Sequence, residues 1–303
     1  MKKTLVALAV LAASGASFAQ ATISGTVATG FINNLAGTSQ GLVSNTAWIG
    51  ISASEDLGAG TSMSVYFGLN GDGARGAGAY RDDQTMTYKA PAFNVTLAST
   101  RSGGNQAGAL VAPVSLWDGT FATQNAEVIS RAGIDGVVLN VPVGAVTLTG
   151  KYVEGAADGA ATPGTTSLVA QASYATGPMK IVGAFTSTTF VTAPVADVIT
   201  TSWDLHGTYD AGFAKVGLGF DSARRGKASG ADTTATFFGV SVPVTKELAM
   251  GVNYGKRDVS NFAQFGAQYA LSKRTSVNLS AGQVTNAATA KFNEYQLLLA
   301  HNF

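Results

Sequence analysis

Apolar residues and small or polar residues alternate with a period of two along much of the chain. Leu248, Met250, Val252 and Tyr254 alternate with Ala249, Gly251, Asn253 and Gly255, leaving one greasy face and one small or polar face. Trp203, Leu205 and Tyr209 stand in the same way against Asp204, His206 and Thr208, and Val277, Leu279 and Ala281 against Asn278, Ser280 and Gly282. This periodicity predicts β-strands with unlike faces, which a half-buried soluble sheet also shows. Repetition separates the two cases. The chain divides into sixteen such segments, at 21–32, 42–54, 60–70, 81–90, 93–101, 131–141, 144–153, 166–176, 179–188, 200–210, 213–222, 232–242, 246–257, 260–270, 274–283 and 292–303. An even number of crossings returns the chain to the side on which it began.

Tight connections alternate with longer ones. Glu55-Asp56-Leu57-Gly58-Ala59, Ala90-Pro91-Ala92, Pro142-Val143-Gly144, Thr176-Gly177-Pro178 and Asp210-Ala211-Gly212 supply the residues that tight turns require, as do 243–246 and 271–274. The other connections, at 33–41, 71–80, 102–130, 154–165, 189–199 and 223–231, are longer on average and rich in Gly, Ala, Thr and Asn. Short turns on one side and longer loops on the other are the asymmetry of an outer-membrane barrel.

Composition sharpens this reading. The chain has 37 Gly, 7 Pro and 12 % charged residues, with a mean hydropathy of +0.20. Beyond the N-terminal segment, no run approaches 18 consecutive apolar residues. A membrane-resident chain without a spanning helix has one other way to satisfy its backbone, the closed β-barrel, because lipid offers no hydrogen-bonding partner. Phe93, Phe213, Tyr174, Tyr209, Tyr269 and Phe303 fall near strand ends, where membrane girdles sit. The last strand, through Tyr295, Leu297, Leu299, His301 and Phe303, presents one mostly apolar face.

The first nineteen residues have the order of an export signal: Lys2-Lys3, an apolar run from Leu5 to Ala13, then Ser17-Phe18-Ala19. Cleavage is expected after Ala19, leaving 20–303 as a single barrel domain. The apolar run spans about half of a ~30 Å hydrocarbon core at 1.5 Å per residue, too short for an anchor. Without Lys2 and Lys3 the chain carries 17 basic and 18 acidic residues. That balance argues against a nucleic-acid partner, which calls for a basic excess. Cysteine is absent and His206 and His301 are the only histidines, which excludes disulfides, thiolate metal sites and multi-histidine centres. No cofactor is expected.

Three stretches carry a likeness to a known family. Ser54-Glu55-Asp56-Leu57-Gly58-Ala59-Gly60 followed by Met63-Ser64-Val65-Tyr66-Phe67, the stretch from Tyr269 to Ser276, and Ala300-His301-Asn302-Phe303 together resemble the trimeric general porins of beta-proteobacteria. The resemblance implies a sixteen-stranded antiparallel transmembrane β-barrel with a long third loop folded into the lumen. It implies a homotrimer in the outer membrane of a Gram-negative bacterium, among lipid and lipopolysaccharide, passing ions and small hydrophilic solutes by diffusion. Two departures stand out. Where the family places an arginine pointing into the constriction, seven residues before the turn glutamate, this chain has Trp48. The family also runs longer, so the external loops here are trimmed.

The resemblance makes 102–130 the pore-narrowing loop. Its acids, Asp118 and Glu127, and the flanking Arg101 and Arg131, are the expected constriction charges, with ordinary solvated loop charges as the alternative. A loop acid facing wall bases sets a transverse field in a narrow aqueous gap. Within the strands, Lys89, Lys151, Asp204, His206 and Asp221 have the parity of the polar face and are expected to line the lumen. Charge facing lipid costs roughly 2–4 kcal/mol for Lys or Arg at the midplane.

Rival constellations are weaker. Gly71-Asp72-Gly73-Ala74-Arg75-Gly76 fits a dinucleotide-binding pattern, but an alternating strand follows where that chemistry needs a helix. Asp204 and His206 raise the possibility of a barrel-embedded hydrolase, although positions i and i+2 on a strand lie about 7 Å apart. Arg224-Arg225-Gly226-Lys227 could meet lipopolysaccharide phosphates or simply be solvated. A substrate-specific channel or an adhesin on the same barrel is disfavoured by the lack of an aromatic ladder and by short loops.

Overall fold

The computed structural model describes residues 20–34, 39–71, 80–102, 111, 132–155, 164–190, 199–225, 232–258, 260–286 and 289–303. Sixteen strands follow one another: β1 Gln20–Asn34, β2 Ser39–Gly58, β3 Thr61–Asn70, β4 Tyr80–Lys89, β5 Asn94–Ser102, β6 Ala132–Val143, β7 Val146–Gly155 and β8 Thr165–Thr176. They continue with β9 Met179–Phe190, β10 Ile199–Asp210, β11 Lys215–Arg225, β12 Thr233–Pro243, β13 Leu248–Arg257, β14 Ser260–Ala270, β15 Thr275–Asn286 and β16 Thr289–Asn302. Each pairs antiparallel with its neighbours in the chain, and β1 pairs with β16 to close the barrel. Gly25 and Phe303 exchange two backbone hydrogen bonds of 3.1 Å at this seam, so the sheet has no open edge there. Among the described residues every crossing is made by a strand.

The tight turns are organised by their own side chains. Asp56 Oδ1 accepts from the Gly58 amide at 2.8 Å, and Asp210 Oδ1 accepts from Gly212 at 2.9 Å. Thr245 Oγ1 accepts from the amides of Glu247 and Leu248, and Ser272 Oγ from those of Arg274 and Thr275. These short oxygen-bearing side chains reproduce a backbone turn locally. Gly58, Ala59 and Gly60 all have positive φ, which is why the β2–β3 turn holds two glycines.

At the opposite end, the connection between β5 and β6 is the longest, while β13–β14 and β15–β16 are joined by two residues each. The sequence reading placed a loop at 284–291. Here β15 instead runs on to Asn286 and β16 begins at Thr289. The reason is physical: Gln283, Thr285 and Asn293 end the apolar stripe on the outer face, but backbone pairing carries on without it.

The register sorts every described strand into two faces. One carries the large exposed hydrophobics, among them Phe31, Leu97, Leu168, Leu205, Leu218 and Leu297. For a water-soluble sheet that would be a severe cost, whereas for a barrel in lipid it is the solvent-facing side. The other face points inward and carries hydroxyls, amides and charges, among them Thr149, Asn278, Asp204 and Asp221.

Candidate functional site: the inner wall of the barrel

Two residues apart on β10, Asp204 and His206 point inward because Trp203 and Leu205 take the lipid side. Asp221 on β11 is the direct cross-strand partner of Asp204, and Gly219 is that of His206. His206 Nδ1 lies 3.7 Å from Asp204 Oδ1, beyond hydrogen-bond length. His206 Nδ1 has no hydrogen-bond partner. Among the described residues no group of acids and histidines is arranged to hold a metal ion.

Lys151 on β7 shares the inward face with Thr149 and Val153. Lys89 ends β4 on the inward side, opposite Ser62 and Asn94. Further charges share this face, among them Lys180 opposite Thr208, Lys215 opposite Asp210, Arg257 and Glu294. Arg257 pairs with Ala235, which itself pairs with Asp221, and Glu294 lies beside Gly282. The sequence reading missed both, although Arg257 has the parity of Asn253 and Gly255, and Glu294 that of Gln296.

On β5 the backbone of Arg101 pairs with Gly133, next to the long β5–β6 connection. The side chain of Arg101, together with Asp118, Glu127 and Arg131, lies outside the described residues, as do Gly226 and Lys227.

Between the charges the inner wall is a web of neutral polar groups. Thr149 Oγ1 donates to Asn140 Oδ1 at 2.6 Å, and Asn140 Nδ2 donates to Asn94 Oδ1 at 2.7 Å. Thr87 and Thr96 share a hydrogen bond of 2.8 Å, Ser167 and Thr188 one of 2.9 Å, and Gln268 donates to Asn278 at 2.8 Å. Phe237 and Phe262 interrupt the web on β12 and β14. Their rings lean over Gly255, which lies between them in the same cross-strand row.

The outer wall has depressions of its own. One of about 650 Å³ is lined by Val65, Phe67, Met86, Leu97 and Val137, with Asp135 and Glu154 at its margin. Tyr152 Oη donates to Glu154 there at 2.8 Å. These residues face away from the lumen, so the depression belongs to the membrane side and not to a solute path.

A closed barrel with lipid-compatible residues outside and hydrogen-bonding residues inside defines a transmembrane channel. Residues 4–289 match the Gram-negative porin family, and the chain belongs to it. It is accordingly a β-barrel of the Gram-negative outer membrane that functions as a porin. Among solved structures, the anion-selective porin from Comamonas acidovorans is similar over 94 % of this chain and 100 % of that one, with 19 % identity and a TM-score of 0.72. A loop-deletion variant of OmpT, an outer-membrane protein of Vibrio cholerae, matches over 94 % and 99 % with 10 % identity and a TM-score of 0.72. A variant of the Rh. blastica porin covers 94 % and 100 % with 12 % identity and a TM-score of 0.67. At these identities the likeness is one of fold. No curated protein matches the chain.

Proposed function

We propose that this porin is a passive, non-enzymatic diffusion pore of weak ion selectivity, lined by Lys89, Lys151, Asp204, His206, Asp221, Arg257 and Glu294. The observation that carries this reading is the inner wall itself. Hydroxyls, amides and charges occupy the inward positions, as at Thr149, Asn140, Asn278, Lys151 and Asp204, while the large hydrophobics lie on the outer face. Polar groups of this kind line an aqueous path through a membrane. The inward charges carry both signs, so neither ion is strongly excluded along the wall.

The same reading takes residues 1–19 as a cleaved export signal and the assembled form as a homotrimer embedded among lipid and lipopolysaccharide. The connection from Ser102 to Ala132 is the longest in the barrel and so the best supplied to narrow it, with Asp118, Glu127 and Arg131 as its charges. Weighing against a hydrolase is the separation of Asp204 and His206 described above.

Conductance of the purified protein in a planar bilayer under a salt gradient tests this. Persistent steps in groups of three, with a small reversal potential, are the expected result. A folded, inserted protein that leaves the membrane silent would overturn it.

A further inference from the structure

The inner faces of β2 and β3 hold an aromatic surface that the pore reading alone does not explain. Tyr66 pairs with Ser52 on the inward side, and its ring does not project into the lumen. A Cβ placed on Gly50 would meet Tyr66 Cε2 at 2.6 Å and Oη at 2.7 Å, and one on Gly68 would meet the same hydroxyl at 3.1 Å. The ring therefore occupies the space that two side chains would have filled. Gly50 and Gly68 are themselves cross-strand partners, so together they form a bare strip of backbone on which the tyrosine lies. Cε2 lies toward Gly50 and Cε1 toward Gly68, so the ring spans the strip between the two glycines.

Trp48 stands one inward step beyond Gly50 on β2, about 7 Å along the strand. It is the cross-strand partner of Thr26 on one side and Asn70 on the other. Both Trp48 and Tyr66 keep part of their surface exposed. Hydrogen-bonding groups border the pair: Thr26 Oγ1, which donates to Asn302 Oδ1 at 2.6 Å, the Asn70 amide, and the hydroxyls of Ser52 and Ser64. From Ser62 to Asn70 the inward positions of β3 are uncharged, as are the neighbouring positions of β2 from Trp48 to Ser54. Lys89 on β4, opposite Ser62 at the turn end, is an inward charge beside this strip.

We propose that Trp48 and Tyr66 form a stacking subsite for neutral polyhydroxylated solutes, of the size and chemistry of a mono- or disaccharide, on the wall of the pore. An aromatic face flanked by hydroxyls and amides matches a sugar ring, whose faces are apolar C–H surfaces and whose rim is hydroxylated. Two rings on adjacent strands make a single site, not a ladder along the pore axis, so the consequence is a weak, saturable pause in passage rather than a dedicated conduit.

The subsite rests on the reading of the lumen as an open path, and one bilayer experiment separates the two. Unblocked conductance is recorded first; its absence would sink the channel. Maltose is then titrated, with a polyethylene glycol of matched hydrodynamic size as the filler that lacks a sugar ring. Maltose is expected to reduce the current saturably, with half-block in the millimolar range, where weak binding of about −4 kcal/mol falls. Trp48→Ala and Tyr66→Leu should each raise the half-blocking concentration about tenfold or more, while Tyr66→Phe, which keeps the ring, stays within about threefold. If Trp48→Ala fails to assemble, the Tyr66 pair carries the comparison. Equal block by maltose and polyethylene glycol, or maltose block unchanged in Tyr66→Leu, would overturn the subsite while leaving the pore intact.

Discussion

Asp204 on β10 and Asp221 on β11 are direct cross-strand partners on the inward face, two carboxylates at the same level of the wall. Like charges directly opposite on a sheet repel, so the fold carries a local cost here in exchange for a concentrated negative field in the lumen. Replacing either by asparagine removes half of that field. Reversal potentials measured in a salt gradient should move toward anions in Asp204→Asn and in Asp221→Asn. The double variant should move further than either. An unchanged potential in all three would show that solutes do not sense this part of the wall.

The packing over Gly255 gives a stability prediction with an internal control. A Cβ at Gly255 would clash with the ring of Phe262 and meet Phe237 Cδ1 at 3.0 Å, and both phenylalanines are already nearly fully buried. Overpacking of this kind costs about 1–3 kcal/mol. Gly150, on the outer face of β7, has nothing within 4 Å of its own Cβ position. Gly255→Ala should therefore lower the urea midpoint of the vesicle-folded barrel. Gly150→Ala should leave it level or raise it, since alanine loses less backbone entropy on folding.

How far the sequence anticipated this structure depends on which physical signal carried the information. Period-two alternation located all sixteen strands, because one face must meet lipid and the other must not. The bounds agree within about four residues, β2 being the extreme: it reaches Gly58 where the reading stopped at 54. Alternation goes quiet at Gln283, Thr285 and Asn293, where the outer face turns polar, which is why β15 and β16 were read short. Single site residues were harder. Parity gives a face only once the register is anchored, and it says nothing of charges in or beside a long loop, which were assigned by resemblance alone. Nothing in the sequence showed Tyr66 lying on Gly50, since that depends on which strand pairs with which.

Adjacent faces of β10 should answer oppositely to a new charge. Leu205 is about half exposed on the outer side, midway along its strand, whereas Thr208 faces inward between Lys180 on β9 and Gly217 on β11. Leu205→Arg places a guanidinium in hydrocarbon and should cost about 2–4 kcal/mol. Thr208→Glu has an aqueous lumen and the opposite charge of Lys180 directly across the strand. In folding titrations, the first variant should lose stability by that amount. The second should fold normally and shift the reversal potential toward cations.

The two faces of β7 give the sharpest test of the register. Lys151 lies inward, paired with Val138 on β6 and Val169 on β8, whereas Glu154 lies on the outer face with Tyr152, whose hydroxyl donates to it at 2.8 Å. Only a charge on the inner face is sensed by a permeating ion. Lys151→Gln should therefore shift the reversal potential toward cations. Glu154→Gln should leave it at the wild-type value, although the charge removed is of the same size. A shifted potential in Glu154→Gln with none in Lys151→Gln would call the register of β7 into question.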